Sequence, residues 1–154
     1  MKLRPALAAL AAVALIWIGP ASQAHAAASD TGTYPNQGNY CIGGSYVNPI
    51  ASRSIVDDYG RIVGRVDVRY SYKCQTNWLT ITGNPTAGPV ATSLWSDAGG
   101  SVGEYDNGTT QSTYTKQVYA PGATCIHFQV HMYTPAGQSY GETYDPGANF
   151  QTVC

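Results

Sequence analysis

The stretch Ile62-Val63-Gly64-Arg65-Val66-Asp67-Val68-Arg69-Tyr70-Ser71-Tyr72-Lys73-Cys74 decides the fold class. Its apolar side chains recur every second residue, the period of a strand with one face in the core. Val66, Val68 and Tyr70 belong to the core face on this reading, and Arg65, Asp67 and Arg69 to water. The same alternation returns in Trp78–Thr82, which stops at Gly83-Asn84-Pro85, and in Val90–Trp95, which stops at Asp97-Ala98-Gly99-Gly100. Ile126–Tyr133 reads as another strand, with Ser139–Tyr144 pairing back on it across Pro135-Ala136-Gly137. Asp106-Asn107-Gly108 carries the Asn-Gly signal of a tight hairpin, here between Val102–Tyr105 and Thr110–Tyr119. Only Pro49–Asp58 reads as a short helix. The expectation is an all-β fold, a small disulfide-stapled sandwich or barrel of about six to eight strands. No internal repeat is visible.

Outward from that core, the N-terminus has a different character. Lys2 and Arg4 precede an apolar run from Ala6 to Ile18, and Ala24-His25-Ala26 supplies the small-x-small pattern of a cleavage site. The run is too short to cross a bilayer as a helix, so residues 1–26 read as a secretory signal peptide, with no membrane span expected. Residues 27–39 are poor in large apolar side chains and read as a flexible leader. Residues 40–154 read as a single β domain.

Of the eight Lys and Arg residues, Lys2 and Arg4 leave with the signal; the remaining six face nine Asp and Glu. A mildly acidic domain gives nucleic-acid binding no electrostatic basis. Cys41, Cys74, Cys125 and Cys154 all lie in the exported part, and an even count there reads as two disulfides. Four cysteines allow three connectivities; Cys41–Cys74 with Cys125–Cys154 is favoured because each closes a moderate loop. Without any Cys-x-x-Cys pairing they do not read as a zinc site.

Catalytic motifs fail on context. Gly137-Gln138-Ser139-Tyr140-Gly141 has the spelling of a nucleophile elbow, but Pro146-Gly147 follows where a helix is required and both histidines of the exported part come earlier. His127 and His131 have helical zinc spacing in a strand-periodic run, which sets them roughly 13 Å apart; they read as exposed strand residues. Asp57-Asp58 is an adjacent pair whose side chains diverge in a strand. No catalytic set, metal or cofactor is expected.

Recognition residues are easier to find. Arg65, Arg69 and Lys73 share one parity and form a basic ladder suited to a polyanion such as a wall teichoic acid. All twelve tyrosines lie outside the signal, with Trp78 and Trp95 beside them, an aromatic surplus suited to stacking on sugars or a partner protein. Arg65, Arg69, Lys73, Trp78 and Trp95 are therefore the candidate binding residues.

Arg69-Tyr70-Ser71, Cys74 and Trp78, with Cys41-Ile42-Gly43-Gly44 and Asn48-Pro49 upstream, resemble the core signature of the YjfA-like domain of unknown function. That family occurs in secreted proteins of Gram-positive bacteria. The resemblance spans about 41 to 133 and is specific over Arg69–Trp78; Asn48 stands where Asp is usual, and this chain has fewer cysteines near Cys41. It implies a secreted domain and carries no activity with it.

The functional expectation is a secreted, non-catalytic binding module for a cell-wall polymer or an extracellular protein. An inhibitor presenting the Cys41–Pro49 loop to a secreted enzyme is the first alternative. A small extracellular hydrolase or toxin, using His127 or His131 with an acid from another strand, is the second.

Overall fold

The computed structural model describes residues 28–38, 41–42, 47–108, 112–143, 145 and 149–154. The signal peptide expected over 1–26 lies outside the described residues, as does the 43–46 segment of the Cys41–Pro49 loop. Ten strands are present among the described residues: β1 Val47–Val56, β2 Ile62–Ser71, β3 Thr76–Thr82, β4 Val90–Ser96, β5 Ser101–Asp106, β6 Ser112–Tyr114, β7 Val118–Tyr119, β8 Ile126–Tyr133, β9 Ser139–Thr143 and β10 Gln151–Val153.

They form one antiparallel sheet in the order β5-β4-β8-β9-β1-β2-β3-β6, with β10 beside β8 and β7 beside β3. The sheet curls into a nearly closed barrel, the all-β, disulfide-stapled architecture that the alternation requires. Val66, Val68, Leu79, Leu94, Phe128 and Val130 are fully buried in its interior. Gly64 shows how tightly the wall closes. A methyl there would stand 2.8 Å from Met132 Cε of β8, 3.0 Å from the Thr82 carbonyl of β3 and 3.2 Å from Ile55 Cδ1 of β1, so any larger residue obliges the methionine end to move.

Strand β8 alternates buried and half-buried positions without a break, with Ile126, Phe128, Val130 and Met132 inward. Its hairpin with β9 forms across Pro135–Gly137 as the turn residues require. Cys41 is bonded to Cys74 and Cys125 to Cys154. The first bridge sits beside the β2–β3 turn; the second ties the chain end to the start of β8.

Four expectations are corrected. Pro49–Asp58 is not helical: β1 pairs with β2 from Val47 to Val56, and Pro49, which has no N–H to give, sits at a register shift. Asp106–Gly108 does not join a hairpin, because β5 pairs with β4 and β6 with β3. The turn is instead an Asx arrangement in which Gly108 N–H donates to Asp106 Oδ1 at 2.8 Å. Gly108 takes φ +74° against the Gly88 carbonyl, a contact that leaves no room for a Cβ. Asp67 is not in water but 5% exposed.

The fourth correction concerns residues 28–38, expected to belong to a flexible leader. They form an ordered strap beginning with a 3-10 turn, Ala28–Asp30. Gly32 N–H donates to the Gln117 carbonyl at 2.9 Å, and Gln117 N–H returns a bond to the Thr33 carbonyl at 3.0 Å. Beneath them, Thr76 Oγ1 donates to Gln117 Oε1 (2.8 Å) and Gln117 Nε2 to Thr33 Oγ1 (3.0 Å), with Gln117 fully buried. Composition misses this because the strap is held by hydrogen bonds rather than by large apolar side chains.

Candidate functional site

Because β5 and β6 end the strand order, they leave a seam in the barrel wall. Inward-facing groups from both sides meet there. Val90, Thr92 and Leu94 of β4 stand in register with Asp106, Glu104 and Val102 of β5, so both carboxylates point to the concave side. From the other edge, Thr113 pairs with the core residue Ile81, which turns it inward as well. The space between is a cavity of about 370 Å³ lined by Val90, Thr92, Glu104, Asp106 and Thr113 together with Tyr34, Tyr114, Thr115 and Lys116.

Glu104 is the organising group. Tyr34 of the strap donates its hydroxyl to Glu104 Oε1 at 2.6 Å, and the Lys116 backbone N–H donates to Oε2 at 2.5 Å. The Lys116 ammonium stands 4.0 Å from the same carboxylate and 5.6 Å above the Tyr34 ring. The Tyr34 ring meets Tyr114 edge-on with centroids 5.8 Å apart. The bond to Glu104, assisted by burial, pushes the Tyr34 phenol up to about 12. Asp106 holds its own turn through Oδ1 and has no cation partner among the described residues. The cavity thus offers carboxylate and hydroxyl acceptors, hydroxyl donors and aromatic walls, with one net negative charge.

The five candidate binding residues from the sequence do not converge. Arg65 Nη2 lies 2.8 Å and Arg69 Nη2 3.7 Å from Asp67 Oδ2, whose other oxygen accepts from Ser52 Oγ at 2.5 Å. Burial pushes the Asp67 carboxyl up, but the bonds from Ser52 and Arg65 and the two guanidinium charges outweigh it and hold it below its ordinary value. The basic ladder is therefore two guanidiniums around one buried anion. Lys73 lies past the end of β2, in the turn before β3, and does not continue the row. Trp78 is 4% exposed, which removes it from any accessible stacking surface.

Trp95 belongs to a different cluster, separated from β2 and β3 by β9 and β1 in the sheet. Its ring stacks on His127 with centroids 5.5 Å apart, and Phe150 meets both rings edge-on at 5.3 Å. His127 Nε2 is 2.9 Å from Asp97 Oδ1, and Nδ1 is 2.9 Å from Thr152 Oγ1. The imidazole is 16% exposed, so His127 is enclosed rather than the exposed strand histidine expected. His131 is more open and lies 3.3 Å from Glu142 Oε2.

Asp57 and Asp58 do not form a pair. Asp57 Oδ1 accepts from the Tyr59 and Arg61 N–H groups (3.0 and 2.9 Å) and organises the β1–β2 turn. Asp30 approaches the sulfurs of Cys41 and Cys74 within 4.8 Å, but a disulfide offers no thiolate to a metal. A smaller groove of about 190 Å³, lined by Ile50, Tyr70, Tyr72 and Val153 among others, carries no charged side chain.

Sequence reasoning misses the seam cavity because its groups come from four separate segments. The one signal available is the Glu104-x-Asp106 alternation, which sets two acids on the same face of a strand.

No family model matches the chain, and no curated protein or solved structure matches it significantly. The site is therefore read from its own chemistry. Two disulfides place the fold in an oxidising environment, and no helix among the described residues is long and apolar enough to cross a membrane.

Proposed function

We propose that this protein is a secreted, non-catalytic binding module that holds a saccharide of the cell envelope in the seam cavity. The observation that carries the reading is the lining itself: Glu104, Asp106, Thr92, Thr113, Tyr34 and Tyr114 around one open space of about 370 Å³. Polyhydroxylated ligands are recognised by this combination, carboxylate and hydroxyl partners for their OH groups and aromatic carbon for their apolar faces. The cavity volume suits a compact ligand of one or two sugar rings. Binding rather than catalysis follows from Glu104, whose two oxygens are already occupied by the Tyr34 hydroxyl and the Lys116 N–H.

Secretion is supported by the order of charge, apolar run and Ala24-His25-Ala26 at the N-terminus, and by the two disulfides. A Gram-positive origin rests on the resemblance of Arg69–Trp78 to the YjfA-like domain. In the fold those residues serve architecture: Arg69 forms an ion pair with Asp67 at 3.7 Å, Cys74 forms the first bridge and Trp78 is buried.

The test is calorimetric titration with soluble glycan fragments released from bacterial cell walls. The reading expects saturable binding that falls about tenfold in Tyr114→Ala. Saturable binding that is indifferent to Tyr114, Glu104 and Asp106 would move the site elsewhere.

A second reading, a small hydrolase, has one specific observation in its favour: the Thr152 hydroxyl, His127 and Asp97 form a continuous hydrogen-bonded line. Ester hydrolysis by the wild type that disappears in both His127→Ala and Thr152→Val would establish it.

A further inference from the structure

We infer that the saccharide taken by the seam cavity carries a free amine, and that Asp106 is the residue that reads it. The inference rests on the binding reading above and adds the chemical class of the ligand. Among the described residues three charged side chains line the cavity: Glu104, Asp106 and Lys116. Two of them neutralise each other, because the Lys116 ammonium lies 4.0 Å from Glu104 and over the Tyr34 ring.

Asp106 is left, among the described residues, as the carboxylate without a cation. Gly108 N–H occupies Oδ1 at 2.8 Å, and among the described residues no hydrogen bond or ion pair engages Oδ2. The residue is half-buried and lies across the sheet from Val90, a fully buried neighbour, so water solvates it only in part. A carboxylate in such a place favours a positively charged donor over a neutral one.

The same accounting disfavours anionic glycans. A phosphate or uronate entering the cavity meets two carboxylates, with the nearby ammonium already engaged. The teichoic acid expected for the basic ladder is therefore not the ligand of this site. An aminosugar with an unsubstituted amine supplies a charge to Asp106, hydroxyls to Thr92 and Thr113, and an apolar ring face to Tyr114. Its N-acetylated counterpart keeps the last two contacts and loses the first.

The experiment is calorimetric titration of the disulfide-intact protein with the β-1,4-linked tetramers of glucosamine and of N-acetylglucosamine, at a pH that keeps the amine protonated. The glucosamine tetramer should bind about tenfold more tightly, the difference between a charged and a neutral hydrogen bond. Added salt should narrow the gap. Asp106→Asn keeps the Oδ1 acceptor for Gly108 and so preserves the turn; it should bring the two tetramers to the same affinity. Equal wild-type affinities, or a preference for the acetylated tetramer, would overturn the amine inference while sparing the cavity. Binding of neither would overturn both.

Discussion

Tyr34 donates to Glu104 across 2.6 Å and 70 residues of chain. Tyr34 precedes the first disulfide and Glu104 lies on the edge strand β5, so this bond spans the seam that β5 and β6 leave between them. The strap that carries Tyr34 is thereby part of the barrel and of the cavity together. It positions an aromatic ring and occupies one oxygen of Glu104.

The phenol responds to pH accordingly. Tyr34 ionises near pH 12, well above an ordinary tyrosine, because ionisation breaks its bond to Glu104 and sets two anions together. A pKa raised on folding stabilises the native state below the unfolded value near 10, and this contribution disappears as pH rises from about 10 to about 12. Ultraviolet difference titration should show Tyr34 ionising late in the wild type, alongside Tyr70, which burial also pushes up, and Glu104→Gln should bring down the Tyr34 step alone. An unchanged titration in that variant would contradict the bond.

Asp67 contributes to the acid limb of stability, as does Asp57, where burial pushes the carboxyl up but the bonds from Arg61 and Tyr59 hold it low. The Asp67 pKa is held below the ordinary value, so its contribution is complete above about pH 4 and is lost as pH falls through the folded value. Asp67→Asn should cost about 1–3 kcal/mol in denaturant unfolding at neutral pH, since it keeps the Oδ1 acceptor for Ser52 but removes the charge and turns an amide donor toward Arg65 and Arg69. The loss should shrink in acid. Arg65→Ala should cost under about 1 kcal/mol, because its side chain is 61% exposed.

Each disulfide should contribute about 3.5 kcal/mol through the unfolded chain, given separations of 33 and 29 residues. Cys125→Ser with Cys154→Ser should also free β10 from β8. The readout is faster amide exchange at Gln151–Val153 together with loss of the His127–Thr152 contact. Protection at β10 as strong as in the wild type would mean the strand holds itself.

Gly88 and Gly108 are predicted to tolerate nothing larger. A methyl on Gly88 would overlap the Tyr133 carbonyl, and one on Gly108 the Gly88 carbonyl. Gly108→Ala adds positive φ to that clash and should cost at least about 2 kcal/mol. Gly137, also at positive φ but with open space around it, should lose only about 1 kcal/mol on the same change. Thermal melts of the two variants separate backbone strain from close approach.

What the sequence makes legible is whatever repeats every second residue. The Val66/Val68, Leu79/Ile81 and Ile126–Met132 alternations mark β2, β3 and β8, and loop length alone favours the two bridges that form. Pairing across the seam leaves no such trace. Val102–Tyr105 and Thr110–Tyr119 flank an Asn-Gly, yet β5 folds back on β4 across the Asp97–Gly100 turn and a long-range contact sends β6 to β3. Charge parity likewise identifies Arg65 and Arg69 as facing one way, but not that Ser52 delivers a hydroxyl to Asp67 between them. The strap is illegible because Thr31, Thr33 and Tyr34 work through hydrogen bonds whose partners lie from 70 to 88 residues onward.

The most direct test of the seam cavity is a chemical-shift map. Isotope-labelled protein is titrated with soluble cell-wall glycan fragments, and the amides that move are located on the fold. Perturbations concentrated at Tyr34, Glu104, Asp106 and Thr113–Lys116 are the predicted result. A map centred on Arg65 and Arg69, or on Trp95 and His127, would contradict the account and place recognition on the outer face of the barrel.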